Sequence, residues 1–257
     1  MPRFPLRPSP EGQSPVTTGR IANELPIAPI TFSLMKASQR VRLGKMTHPV
    51  RGFLHGVAAV AALMGALLLT VHAPGGGGRR ISLLVFGLSL VALFVTSSLY
   101  HSVPWRARWK RRMQKLDHTM IYVLVAGTFT PIAVIVLEGW LQWMTLAVQW
   151  GIVAFGAVHK ALAKRPKHWT SIALATTQGW LAVLVFWPLA NRLPWTALMM
   201  LGLGGVLYTV GMVFLVTGRP RLWPRVFSYH EAFHVLVVAA AAVHFATIAG
   251  WVSVYGV

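Results

Sequence analysis

Seven apolar runs, each about twenty residues long, constrain this chain more than any other feature. They fall at about 53–72, 81–103, 117–137, 141–159, 170–190, 195–217 and 230–252. A helix of about twenty apolar residues crosses the roughly 30 Å of bilayer hydrocarbon. In that medium a single segment satisfies its own peptide groups only as a helix. The expected fold is therefore all-α, a polytopic membrane protein built as a seven-transmembrane helix bundle. The composition fits: of 257 residues only 11% are charged and 55% are apolar, whereas a soluble domain carries about 25% charged residues. Pro74, Gly75 to Gly78, Gly139 and Pro194 punctuate the short connections. Trp105, Trp109, Trp140, Trp143, Trp169, Trp195, Trp223 and Trp251 cluster near the span ends, as in an aromatic belt. The chain has no cysteine, so neither a disulfide nor a thiolate site is available to it.

Residues 1–45 read differently. They hold seven of the sixteen prolines, scattered Arg, Ser and Thr, and no apolar periodicity. Such a segment buries too little apolar surface to offset its ordering entropy, and is expected to be a disordered, basic, Pro-rich tail. It lacks the apolar core and cleavage pattern of a signal peptide. Met35 and Met46 lie close to the first run and are expected alternative starts, which N-terminal sequencing distinguishes. Residues 46–257 form the membrane domain.

The chain carries 24 Lys and Arg against 5 Asp and Glu, a formal charge of +19. A basic excess of this size raises nucleic acid or a membrane surface as partner. Its distribution favours the membrane. The flank 40–51 holds Arg40, Arg42, Lys45 and Arg51; the connection 104–116 holds Arg106, Arg108, Lys110, Arg111, Arg112 and Lys115. Stretch 160–168 adds four basic residues and 218–229 adds three, while the alternate connections hold only Arg79, Arg80 and Arg192. By the positive-inside rule the N-terminus is cytoplasmic and the C-terminus outside. The charge is thus topological and favours anionic lipid headgroups; nucleic acid is not an expected partner. The expected location is the plasma (inner) membrane, with membrane lipids as partners.

Ionisable groups kept within a bilayer are functional candidates by default. Among the acids, Glu11 and Glu24 lie in the tail and Glu138 in an outer connection, which leaves Asp117 and Glu231 at the starts of the third and seventh spans. His55 opens the first span, His101 closes the second, and His230 and His234 open the seventh. The topology brings all of these to one layer near the cytoplasmic face. His230 and His234 are one turn apart on one helix face, as are Ser97 and His101 on theirs. Two such histidines and a third from a neighbouring helix make a three-nitrogen site suited to tetrahedral zinc with water in the fourth position. Asp117 is placed to orient or deprotonate that water, and Ser97 to hydrogen-bond it or a substrate carbonyl. The plainer alternatives are histidines hydrogen-bonded across helices and Asp117 as a helix N-cap. Glu231, about 100° round the helix from His230, is expected to support or cap. His244, two to three turns deeper, is expected to make an interhelical hydrogen bond. HEAFH at 230–234 also reads as H-E-x-x-H, the metalloprotease signature with a glutamate base. Such enzymes need a third ligand, and after Glu231 only His244 remains, with Asp117 as the other option.

SSLYH at 97–101, DHTMIYVLVAGTFTP at 117–131 and HEAFH at 230–234 together resemble the three signature blocks of the haemolysin III family. That family belongs to the progestin and adiponectin receptor superfamily, and the resemblance covers roughly residues 50–252. It implies zinc held by His101, His230 and His234, with Ser97 and Asp117 beside it. One departure stands out: where the family often carries acidic residues and an Asn before the first span, this chain reads THPVRGFLHGVAAV, with Arg51 at the Asn position and His55 in the motif. The superfamily's relation to alkaline ceramidases implies a zinc-dependent hydrolase of lipid amides or esters entering from the inner leaflet. Its receptors imply instead a non-catalytic sensor or regulator of membrane state with structural zinc. The family name suggests cytolysis by a pore, but the spans are thoroughly apolar and carry no amphipathic, charged-face helix to line one.

Overall fold

A computed structural model describes residues 46–163, 168–223 and 226–257; the tail expected at 1–45 lies outside them. The described residues are helical with no strand, and seven helices are long and apolar enough to cross a membrane. They are α1 (Pro49–His72), α2 (Gly77–Ser102), α3 (Ala107–Pro131, widened into a π turn over Ile132–Val136) and α4 (Gly139–Leu162). The fifth span joins α5 (His168–Trp180) through a 3-10 turn at Leu181–Val185 to α6 (Phe186–Ala190). Then follow α7 (Trp195–Thr217) and α8 (Tyr229–Thr247), the latter ending in a π turn at Ile248–Val252.

The span limits follow the apolar runs closely, with one informative difference. The third helix begins at Ala107, ten residues before the apolar run, so the basic stretch read as a connection is mostly helix. Arg, Lys, Met, Gln and Leu dominate 110–116 and are good helix formers. They continue the span beyond the hydrocarbon, and Arg108, Lys110, Arg111 and Arg112 stay exposed. The irregular turns also have causes in the sequence. Pro188 has no N–H to give the carbonyl of Leu184 and crowds it, which accounts for the 3-10 segment just before it. Pro131 stands where α3 loosens into its π turn, and Thr128 and Thr130 next to it donate to the carbonyls of Leu124 and Ala126.

Consecutive helices pack side by side, α1 on α2, α2 on α3 and α7 on α8, and α8 returns to α1. The second and third spans are 56% and 61% buried by the protein itself, against 11% to 33% for the other five. Those two therefore form the centre, and the rest present apolar side chains such as Phe53, Leu67, Phe155 and Met199 to the surroundings that lipid would fill. Close approach between α1 and α2 depends on small residues, as in membrane helix pairs generally. A Cβ on Gly87 would lie 3.0 Å from the Cα of Ala66, and one on Gly52 would overlap Oγ of Ser102. The carbonyl of Gly52 in turn accepts from Ser98. Residues 47 and 48 dock their backbone on the end of α2, with the His48 N–H on the carbonyl of His101 at 3.0 Å. This fixes the start of α1 beside the end of α2, where the histidines lie.

Candidate metal centre

The H-x-x-x-H spacing on α8 puts His230 and His234 on one face, their rings stacked with centroids 5.0 Å apart. His101, in the last turn of α2, meets both edge-on, at 5.5 Å from His230 and 4.8 Å from His234. One nitrogen from each of the three lies within 4.8 Å of the others. A tetrahedral ion with metal–nitrogen bonds of 2.0–2.1 Å would hold them about 3.4 Å apart. His101 and His234 are buried, and Nδ1 of His101 and Nε2 of His234 have no hydrogen-bond partner. Buried polar atoms are normally satisfied, so each exception requires a cause. Buried imidazole nitrogens without a protein donor or acceptor, on histidines from two helices that converge, fit the donor set of a metal ion. The three histidines expected from the sequence are thus brought together, in a group able to hold one.

The first span contributes more than the sequence disclosed. Arg51 and His55, one turn apart on α1, face Glu231 and His234 on α8. Arg51 Nε donates to Glu231 Oε1 at 2.7 Å, with both side chains buried. Nε2 of His55 lies 2.9 Å from Nδ1 of His234, and the His55 ring packs edge-on against Phe94. Arg51 stands where the family resemblance leads one to expect Asn, and its guanidinium is used within the bundle rather than at the headgroups. Glu231 is engaged on its other oxygen too: Oε2 accepts from the Ser228 N–H at 2.9 Å and closes a capping box at the start of α8. With both oxygens held, this glutamate is a cap and a structural anion, as its place on the helix suggested.

Ser97 is buried one turn before His101, and its hydroxyl lies near the Asp117 carboxyl on α3. The Lys160 ammonium, from the end of α4, acts on the same carboxyl. Lys160 is itself buried, donating to Ser171 Oγ at 2.7 Å and lying 5.6 Å from the Tyr122 ring centroid. It had been counted only among the topological charges; its position directly after an apolar run was the available signal. His244 behaves as expected, with Nε2 3.2 Å from the carbonyl of Leu201 on α7 and Gly204 leaving room for the ring.

A seven-span helical membrane protein with histidines of the second and seventh spans gathered at one end is the class these features define. The chain belongs to the haemolysin-III related family, whose profile matches residues 44–245. It is 31% identical to Hemolysin-3 of Bacillus cereus over 193 residues, 74% of this chain and 85% of the relative. It is 29% identical to the Hemolysin-3 homolog of Bacillus subtilis (strain 168) over 193 residues, 74% of this chain and 87% of that one. The monocyte to macrophage differentiation factor of Homo sapiens is 25% identical over 206 residues, 77% of this chain and 81% of its own length. That last similarity supports placement in the progestin and adiponectin receptor superfamily.

Proposed function

We propose that this protein is a zinc-dependent hydrolase of a membrane lipid amide or ester. The observation that carries the reading is the convergence of His101, His230 and His234, two of them buried with unpartnered nitrogens, with Ser97 one turn before His101 and the Asp117 carboxyl near Ser97. Three imidazoles with no cysteine in the chain match zinc that keeps a fourth position open. Zinc at that point supplies Lewis acidity and makes water nucleophilic near neutral pH. The chain's own residues do the rest. The Asp117 carboxylate accepts the proton of the attacking water and returns it to the leaving amine or alcohol as the bond from the acyl carbon to that nitrogen or oxygen breaks. Ser97, whose hydroxyl lies near the Asp117 carboxyl, would steady that carboxylate. The charge asymmetry of the connections supports an orientation with this end of the bundle facing the cytoplasm, so that in a plasma membrane the lipid would enter from the inner leaflet.

The test is Asp117→Asn in purified protein, with fluorescent ceramide and fluorescent diacyl phospholipid in micelles as probes. Turnover is expected to fall by at least about a hundredfold, the lower range for loss of a general base, with zinc content unchanged. Loss of zinc together with turnover would make Asp117 a ligand instead. A second reading, a membrane-state regulator with structural metal, is favoured by the two contacts that bind α1 to α8 beside the cluster. On that reading neither probe is cleaved and chelation lowers the melting temperature. The H-E-x-x-H protease reading loses support because both oxygens of Glu231 are engaged.

A further inference from the structure

We infer that His55 is a positioning residue for the metal centre: it accepts a hydrogen bond from Nδ1–H of His234 and so fixes which nitrogen of that ring is offered to the ion. The inference rests on the metal reading above. Nε2 of His55 and Nδ1 of His234 are 2.9 Å apart, and Nε2 of His234 is the buried atom left without a partner. A neutral imidazole carries one N–H. For Nε2 of His234 to offer its lone pair, the proton must sit on Nδ1, and His55 is the group that nitrogen faces. His55 Nε2 must then be the acceptor, which puts its own proton on Nδ1. Histidine ligands commonly donate their second N–H to a carboxylate or carbonyl, which sets ring orientation and basicity; here an imidazole from another helix takes that place.

The surroundings hold His55 for this role. It is 2% exposed. The Phe94 ring lies against it at 5.1 Å between centroids. One turn earlier, Arg51 grips Glu231, three residues before His234, so α1 and α8 meet in two consecutive contacts and cannot slide past one another without breaking both. His55 stands outside the group of three whose nitrogens converge. It orients without ligating.

The experiment compares zinc affinity, by competition with a chromogenic chelator, in the full chain and in His55→Leu and His55→Gln. Leucine keeps the site filled and packed against Phe94 but accepts no hydrogen bond; the glutamine carbonyl can accept one. Expected are about a 10- to 100-fold rise in Kd for His55→Leu, an unchanged single equivalent at saturation, an unchanged melting temperature of the chelated protein, and recovery of most of the affinity in His55→Gln. Wild-type affinity in His55→Leu would overturn the inference while leaving the metal reading intact. A folded His55→Leu that takes up no zinc at any concentration would also overturn it, by making His55 a ligand. Glutamine no tighter than leucine would rule out the hydrogen bond as the agent. A wild-type protein that binds no zinc would sink the metal reading, and this inference with it.

Discussion

Two buried polar clusters interrupt the apolar interior, and they are built on opposite logic. One lies among α1, α2 and α8 and holds Arg51, His55, His101, Glu231 and His234, with the half-buried His230. The other lies among α3, α4 and α5. There Nε2 of Gln149 donates to the carbonyl of Gln178, and Nε2 of Gln178 donates to the carbonyls of Gln149 and Tyr122. Those amide donors are spent on backbone carbonyls of neighbouring helices. What remains over is acceptor oxygen, Oε1 on each glutamine, with the hydroxyl of Thr145 nearby in sequence. In the histidine cluster the unpartnered atoms are ring nitrogens, on His55, His101 and His234, and the last two belong with His230 to the group that converges. The carboxamide cluster is a clasp; the histidine cluster is shaped around something it would hold. Burial alone does not tell them apart: the kind of atom left without a partner does.

The sharpest way to break this contrast is to remove one member of each and weigh the metal. His101→Ala should reduce bound zinc from one equivalent to none, because two imidazoles on one helix turn cannot complete a site that needs three protein ligands. Gln178→Leu should leave it at one. Equal metal in all three proteins by mass spectrometry or atomic absorption would erase the distinction.

The next effect is on stability. Arg51→Met leaves the Glu231 carboxylate buried with only the Ser228 N–H as partner, and breaking one side of a buried pair costs about 3–5 kcal/mol. Adding Glu231→Gln should restore much of that, since no charge is then stranded. Thermal melts of the two single variants and the double variant in one detergent give the coupling; additive losses would mean that the pair is not coupled.

How far these features were legible in the sequence follows from the range of the signals. The seven spans are written in local hydropathy, so their number and most of their limits could be read directly. His101, His230 and His234 could be found because topology brings three ends to one layer and a four-residue spacing aligns two of the rings. The Arg51–Glu231 and His55–His234 contacts join residues about 180 positions apart, and no periodicity within either helix announces them. Arg51 was read as a departure and a topological charge; its burial needed the helices side by side. Helix α3 starts early because helix formation continues where hydropathy stops, and hydropathy was the signal being read. Gln149 and Gln178 were visible as polar residues within apolar runs, but nothing in either run says that each reaches the other's backbone.

Within the clasp the expected loss is small. Gln178→Leu removes two interhelical hydrogen bonds, and such bonds average about 0.6 kcal/mol in a membrane interior. About 1 kcal/mol of destabilisation should appear, read as a modest drop in melting temperature with no change in metal content. A loss several times larger would show the carboxamides to be a keystone of the fold.

Lys160 sharpens the comparison most, because it touches both sides. Its ammonium donates to Ser171 and lies against Tyr122, a member of the clasp, and it also acts on Asp117 beside the histidines. Lys160→Met keeps the length of the side chain and removes the charge. Removing one charged member of a buried pair leaves the other uncompensated and costs stability. The melting temperature of Lys160→Met should therefore fall, with its zinc content unchanged. If the proposed hydrolase is correct, turnover of the folded, zinc-loaded protein should fall as well, by about tenfold for a loss of roughly 1.4 kcal/mol at the barrier, because the carboxylate that handles the proton has lost the cation acting on it. Turnover preserved together with a lower melting temperature would assign Lys160 to the clasp alone. Turnover reduced in protein that is still folded and zinc-loaded would tie it to the chemistry of the histidine end.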